Sequence, residues 1–271
     1  MIRLTREVRF SVDRDWAGRV DLDRPISNSW GGWPSAVGLV PYLILRATVV
    51  GTPDPRTGYL CNIKRIDELL RRHAIPHAAE QLQRFGWRMP AERLLTEVWG
   101  AVSANAPPEA PLVRLELLPT PTLRYARTRE NPAMVTLTQQ FEFSAAHRLH
   151  CPELSEAENR ATFGKCNNPN GHGHNYIMEV TVSGRPDSRT QVLIPLPRLE
   201  TLVRELVVDV LDHTHLNQDT AQFRTVNPSV ENIARVIWGM LDGRLSPATL
   251  ANVRVYETPK TWADYAGESR D

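Results

Sequence analysis

Three cysteines in 271 residues, Cys61, Cys151 and Cys166, are too few and too scattered for a disulfide framework and agree with reducing surroundings. Charge imbalance is missing too. With 32 basic against 31 acidic residues the formal charge is +1, so no long-range field favours nucleic acid or an anionic membrane, and an anionic ligand has to be met by local residues. No apolar run comes near the ~20 residues that span a bilayer, and the opening MIRLTREVRF lacks the apolar core of a signal peptide. These absences predict a cytoplasmic protein with neither a membrane nor a nucleic-acid partner. What is present, 41% hydrophobic and 23% charged residues, is ordinary globular composition in a length that admits one large domain or two.

The chain repeats itself. Phe10-Ser11 matches Phe143-Ser144, and Gly31, Gly38 and Gly51 match Gly164, Gly171 and Gly184, all at an offset of 133 (184 − 51). At that offset TVVGTPDPRT (48–57) lies over TVSGRPDSRT (181–190). The offset then grows to 139, where Glu92 and Trp99 meet Glu231 and Trp238, and to 140, where Val113-Arg114 meets Val253-Arg254. Two domains follow, 1–130 and 131–271, joined near the polar stretch TRENPAM (128–134).

Each copy reads as a small α+β unit. Alternation in TLTQQFEFSA and NYIMEVTVSG predicts two antiparallel strands joined by a long loop. Leu196, Leu199, Leu202, Val203 and Leu206 recur at helical spacing, SVENIARVIWGML predicts a second helix with Ser229 as N-cap, and NVRVYET closes the unit. A further strand is predicted around Gln191–Pro195.

The second copy carries the chemistry. His172 and His174 are two apart, so on a strand both imidazoles project from one face. The pair alone fits a metal or two hydrogen-bonded polar residues equally well. His147, on the preceding predicted strand, tilts the balance, since three histidines without a fourth protein ligand describe a catalytic zinc site with an open position. Cys166 taken singly reads as a small buried hydrophobe, although its short Asn/Pro/Gly loop is a poor place for burial. Asp212-His213 could cap the preceding helix, and His213 with His215 forms a second, weaker metal pair. Glu257 lies in a valine-rich strand, where an inward carboxylate needs a donor partner; otherwise it is a solvated strand residue, as Glu116 is expected to be in the first copy.

CNNPNGHGHNY, together with FSAAHRL, LDHTHLN, the SVEN segment and VYET, resembles the 6-pyruvoyl-tetrahydropterin synthase family in the same order over residues 136–268. The resemblance implies a T-fold: an antiparallel sheet with two helices on one face, oligomerising into β-barrels. It implies zinc bound by His147, His172 and His174, Cys166 as general base acting with Asp212 and His213, and Glu257 anchoring the pterin ring. Ser229, where the family often has threonine, would lie beside the pterin. The implied reaction converts 7,8-dihydroneopterin triphosphate to 6-pyruvoyl-tetrahydropterin with loss of triphosphate. A thiol is a workable base when a nearby cation lowers its pKa. The sister activity, 6-carboxytetrahydropterin synthase of the queuosine route, uses the same substrate and metal, but the five residues between Cys166 and His172 resemble the pyruvoyl type. A non-enzymatic pterin-binding or assembly module is a reading of another class, opposed by the intact Cys166, Asp212, His213 and Glu257 set. Lys165, Arg148 and Lys260 are candidate phosphate contacts.

In the first copy the repeat alignment puts Arg14 at the place of His147, Trp33 at that of Cys166, Leu39 and Pro41 at those of His172 and His174, and Leu117 at that of Glu257. Nothing there can hold zinc. Trp16, Trp30 and Trp33 could fill the lost ligand space, Cys61 reads as core, and His73 and His77 as exposed loop residues. One zinc per chain and a structural first domain follow. Because a small sheet leaves open edges, and barrels of this fold close from several units, three tandem chains would reproduce a hexamer's shape as a homotrimer.

Overall fold

A computed structural model describes residues 1–12, 41–86 and 88–268 of the chain. Arg14, Trp16, Trp30, Gly31, Trp33, Gly38 and Leu39 lie outside the described residues. The fold is α+β, and contacts divide it into two compact units: Met1–Leu137 with Gly184–Leu193, and Thr138–Ser183 with Ile194–Asp271. Among the described residues no helix is long and apolar enough to cross a membrane.

The first unit has four antiparallel strands in sequence order, β1 (Ile2–Ser11), β2 (Tyr42–Gly51), β3 (Leu112–Thr120) and β4 (Leu123–Thr128). Helix α1 (Ile63–Leu69) runs through a π turn at Leu70–Ala74 into α2 (Ile75–Phe85), and α3 (Ala91–Asn105) packs on β3 and β4. Alternation chooses the inner face, because successive strand side chains point to opposite sides. Leu43, Leu45, Ala47 and Val49 of β2 are buried while Ile44 and Arg46 are not. His73 and His77 are half-buried in the π turn and α2, which corrects the expectation of a loop. Pro76 is the second residue of α2, directly after the π turn. Glu116 is not solvated: its side chain is 13% exposed and paired with Arg114 at 2.8 Å.

The second unit contains β5 (Val135–His147), helix α4 (Glu156–Phe163), β6 (His172–Gly184), and α5 (Leu196–Val203), which passes through a π turn at Arg204–Val208 into α6 (Asp209–Leu211). Then come β7 (Thr214–His215), α7 (Leu216–Asp219), α8 (Val230–Leu241), β8 (Thr249–Thr258) and β9 (Thr261–Tyr265). The strand order is β5-β6-β8-β9, with β7 parallel to β5 on its other side and α8 packed on β8 and β9. Tyr176, Met178, Val180 and Val182 of β6 are fully buried; a side chain of that size contributes roughly 1.5–3 kcal/mol when removed from water.

Two expectations fail along the chain from β5 to α5. The stretch Gln191–Pro195 is not a strand: Asp187 Oδ1 accepts from the Arg189 and Thr190 amides, Gln191 takes a left-handed φ of 61°, and Pro195 caps α5. The long β5–β6 connection contains α4, started by a capping box in which Ser155 Oγ accepts from Glu158 N and the Glu158 carboxylate from Ser155 N.

Strand register also corrects the sequence alignment. Ile44 pairs with Leu118, and Ile177, its counterpart at offset 133, pairs with Tyr256. The β3-to-β8 offset is therefore 138 (256 − 118), and Pro119 rather than Leu117 stands at the place of Glu257. Leu117 instead corresponds to Val255, and both are core.

Candidate metal and active site

His147 is the last residue of β5, and His172 and His174 open β6 beside it. Adjacency of the two strands brings the three rings together: their ligand nitrogens all lie within 4.8 Å of one another, and His147 is fully buried. Gly171 makes the approach possible. Its φ is +71°, and a Cβ there would lie 2.9 Å from His147 O and 2.7 Å from His215 Nε2.

The donor chemistry suits a metal. His147 Nδ1 lies 2.7 Å from Pro228 O, and a carbonyl can only accept, so the proton sits on Nδ1 and the Nε2 lone pair faces His172. Burial pushes the His147 pKa down to about 4 and that of His172 downward, so at neutral pH both rings are the neutral imidazoles a metal requires. His172 Nδ1 and His174 Nε2 are buried without hydrogen-bond partners. A nitrogen-only set fits zinc or a similar transition metal and not the hard cations, which take oxygen.

Glu257, on β8, reaches the same cluster, with Oε1 3.5 Å from His147 Nε2 and 3.7 Å from His174 Nε2. Cys166 lies in the 3-10 turn Gly164–Asn167 after α4. Its carbonyl accepts from Leu149 N at 2.9 Å, and Asn167 Nδ2 donates to Leu149 O at 2.7 Å, so the turn is stitched to the chain just beyond His147. Asp212 and His213 form a hydrogen-bonded pair, Oδ2 to Nδ1 at 2.7 Å. Backbone bonds to Ser144 on β5 hold them there: Ser144 N donates to Asp212 Oδ1, and His213 N to Ser144 O. The Ser144 amide and the His213 ring keep the Asp212 carboxyl below the usual range. His213, at φ +56°, has a side chain 82% exposed and shares an open pocket of about 530 Å³ with His174.

His213 and His215 do not form a metal pair, since one ring is exposed while both ring nitrogens of the other are buried. Ser229 caps α8 by accepting from Asn232 N, and the preceding residue supplies the carbonyl that orients His147. Lys260 stands in the β8–β9 turn, whereas Arg148 follows His147 directly.

Sequence reasoning missed Tyr176. It is fully buried, its hydroxyl has no hydrogen-bond partner, and its ring lies 5.5 Å from that of His174 and stacks 4.9 Å from Phe143. Burial, with Glu257 and Cys166 nearby, pushes its pKa upward. Its place two residues after His174, on the same strand face, was the available signal.

A three-imidazole cluster on paired strands of an α+β unit, buried at His147 and half-buried at His172 and His174, with a carboxylate at its edge, is a group that could hold a metal with a position left open. The family model for 6-pyruvoyl tetrahydropterin synthase matches residues 136–268. The 6-pyruvoyl tetrahydrobiopterin synthase of Drosophila melanogaster is 42% identical over 132 residues, covering 48% of this chain and 79% of the relative. That of Homo sapiens is 42% identical, covering 49% of this chain and 91% of the relative. The solved Caenorhabditis elegans 6-pyruvoyl tetrahydropterin synthase is 42% identical over 50% of this chain and 96% of its own, with a TM-score of 0.48. The chain belongs to the 6-pyruvoyl tetrahydropterin synthase family.

Proposed function

We propose that this chain is a zinc-dependent lyase that converts 7,8-dihydroneopterin triphosphate to 6-pyruvoyl-tetrahydropterin with release of triphosphate. The observation that carries the reading is the His147, His172 and His174 cluster, with three imidazoles converging and Glu257 beside them. Zinc at this site supplies Lewis-acid chemistry, lowering the pKa of substrate side-chain hydroxyls and orienting them. Cys166 removes and returns side-chain protons, and the Asp212–His213 pair exchanges protons with solvent through its exposed imidazole. Glu257 accepts hydrogen bonds from the paired donors of the pterin ring, a charge-assisted contact that fixes the ring's orientation. Ser229 lies beside the pterin in this reading: its Oγ accepts from Asn232 N as the cap of α8 and keeps its own hydrogen to donate to the ring.

The first unit is proposed to be a non-catalytic copy of the same domain, giving domains 1–130 and 131–271. It is kept for assembly, with three chains forming a trimer of one zinc each. Light scattering tests the assembly, and a stable, fully active monomer would refute it. The reaction is tested by incubating the purified chain with dihydroneopterin triphosphate, with and without a chelator, and identifying the product by mass. A 6-carboxytetrahydropterin product, or chelator-insensitive turnover, would overturn the reading.

A further inference from the structure

A second cavity in the catalytic unit, about 770 Å³, is lined by Arg148, His150, Phe163, His215 and Arg224, among others. Its volume is within the range of small-molecule sites. We propose that it is an anion subsite and that it takes the triphosphate of the substrate, an assignment that rests on the substrate named above.

Three observations carry it. The first is a fixed array of donors. Arg148 is clamped at its backbone by Asn217, which accepts from Arg148 N at 2.9 Å and donates to Arg148 O at 3.0 Å. Its Nε–H donates to Asn167 O at 3.2 Å, and its two terminal nitrogens have no hydrogen bond among the described residues. Asn167 Nδ2 donates to Leu149 O and therefore carries hydrogens, so His150 Nδ1, 3.1 Å away, is an acceptor and the His150 proton is on Nε2. Arg224 is exposed and has no protein partner among the described residues. A guanidinium held by its stem with its outer fork free is suited to phosphate oxygens.

The second is His215. Both of its ring nitrogens are buried without a partner, a costly state for an imidazole whose N–H needs an acceptor. The ring lines this cavity and also the 530 Å³ pocket that contains His174. His215 is the residue common to the two cavities, and through it the proposed anion subsite adjoins the pocket that includes His174.

The third is charge. The chain has almost no net charge, so a polyphosphate must be met locally. Glu153 is the one carboxylate among the cavity's lining residues, and it is exposed and accepts from Cys151 Sγ at 2.9 Å.

The test is calorimetric titration of the full-length, zinc-loaded protein with inorganic tripolyphosphate. It is repeated on Arg224→Gln, on Arg148→Gln, and on metal-free His172→Ala, because tripolyphosphate is itself a zinc ligand. The expected result is that binding weakens about tenfold or more in each arginine variant and persists in His172→Ala. Arg224→Gln removes no protein contact and keeps the test decisive if Arg148→Gln does not fold. Unchanged affinity in Arg224→Gln, or binding that vanishes in His172→Ala while surviving in both arginine variants, would overturn the proposal. If Arg224→Gln turns over dihydroneopterin triphosphate with an unaltered KM, the subsite is wrong and the reaction stands. If tripolyphosphate binding depends on the arginines but no product forms, the subsite stands and the reaction is wrong.

Discussion

The chain's two halves share strand-pair, turn and bulge details and differ at the strand ends where the histidines stand. At offset 133 the Thr5–Thr48 hydroxyl pair (2.8 Å) corresponds to the Thr138–Thr181 pair (2.9 Å). The turn in which Asp54 Oδ1 accepts from Arg56 N and Thr57 N corresponds to that of Asp187 with Arg189 and Thr190. The same bulge interrupts both strand pairs, at Thr48/Val49 and at Thr181/Val182. A π turn follows α1 at Leu70–Ala74 and α5 at Arg204–Val208. Yet where β6 begins with two ligand histidines, Pro41 stands at the place of His174, and Pro119 at that of Glu257. Core face, turns and bulge are maintained by packing and backbone satisfaction, and the site occupies only the ends of the strands. Functional residues there can be exchanged without disturbing the apolar face beneath them.

The largest break in the comparison comes from the metal. His172→Ala should remove the metal and bring turnover below detection, since a two-imidazole remnant lacks the third ligand. Metal analysis of the wild type should give one ion per chain; two would place a second site in the first unit or at His215. The overall fold should persist, because β6 keeps Tyr176, Met178, Val180 and Val182 in the core, and circular dichroism checks this.

Cys166→Ala should leave the metal in place and lower kcat about 10²- to 10⁴-fold, the range for loss of a general base. Release of the metal would make the thiol a ligand. Glu257→Gln sharpens the same division with a smaller effect. If the carboxylate holds the pterin, the metal stays and kcat/KM falls roughly 10- to 150-fold, corresponding to a charge-assisted hydrogen bond of about 1.5–3 kcal/mol. If the metal is lost instead, the 3.5 and 3.7 Å approaches to His147 and His174 mark a fourth ligand.

Much of this was legible in the sequence. Alternation in β5 and β6 and helical spacing in α5 and α8 are local patterns with a single physical reading, whereas the His-x-His pair, ambiguous alone, gained its reading from His147 on the neighbouring strand. What escaped depended on context. Helix α4 is short and polar, and its signal was the Ser155/Glu158 capping box alone. The strand predicted around Gln191–Pro195 is a loop in which Leu193 and Ile194 are buried. The 140 offset rested on Val-Arg identity, whereas hydrogen-bond register shows that like residues were aligned two positions out of place. The Pro228 carbonyl that sets the His147 tautomer belongs to main chain 81 residues away, and no side-chain pattern reports it.

The smallest predicted effect is the most direct test of a shared scaffold. Replacing either threonine of a pair by valine removes one hydroxyl of nearly the same shape and should cost about 0.5–1.5 kcal/mol. Double-mutant cycles on Thr5/Thr48 and on Thr138/Thr181 isolate the pair energies from other consequences of each substitution. The two couplings should have the same sign, and the second should be the larger. Thr138 is 5% exposed, so its hydroxyl cannot turn to water, whereas Thr5 is exposed and can. The measurement requires urea unfolding with the metal removed, because an ion bound only by the native second unit raises that unit's apparent stability by mass action and would obscure a difference this small. A coupling near zero in one unit and not in the other would mean that equal distances, 2.8 and 2.9 Å, conceal unequal interactions, and that the first unit preserves the geometry of the second without its energetics.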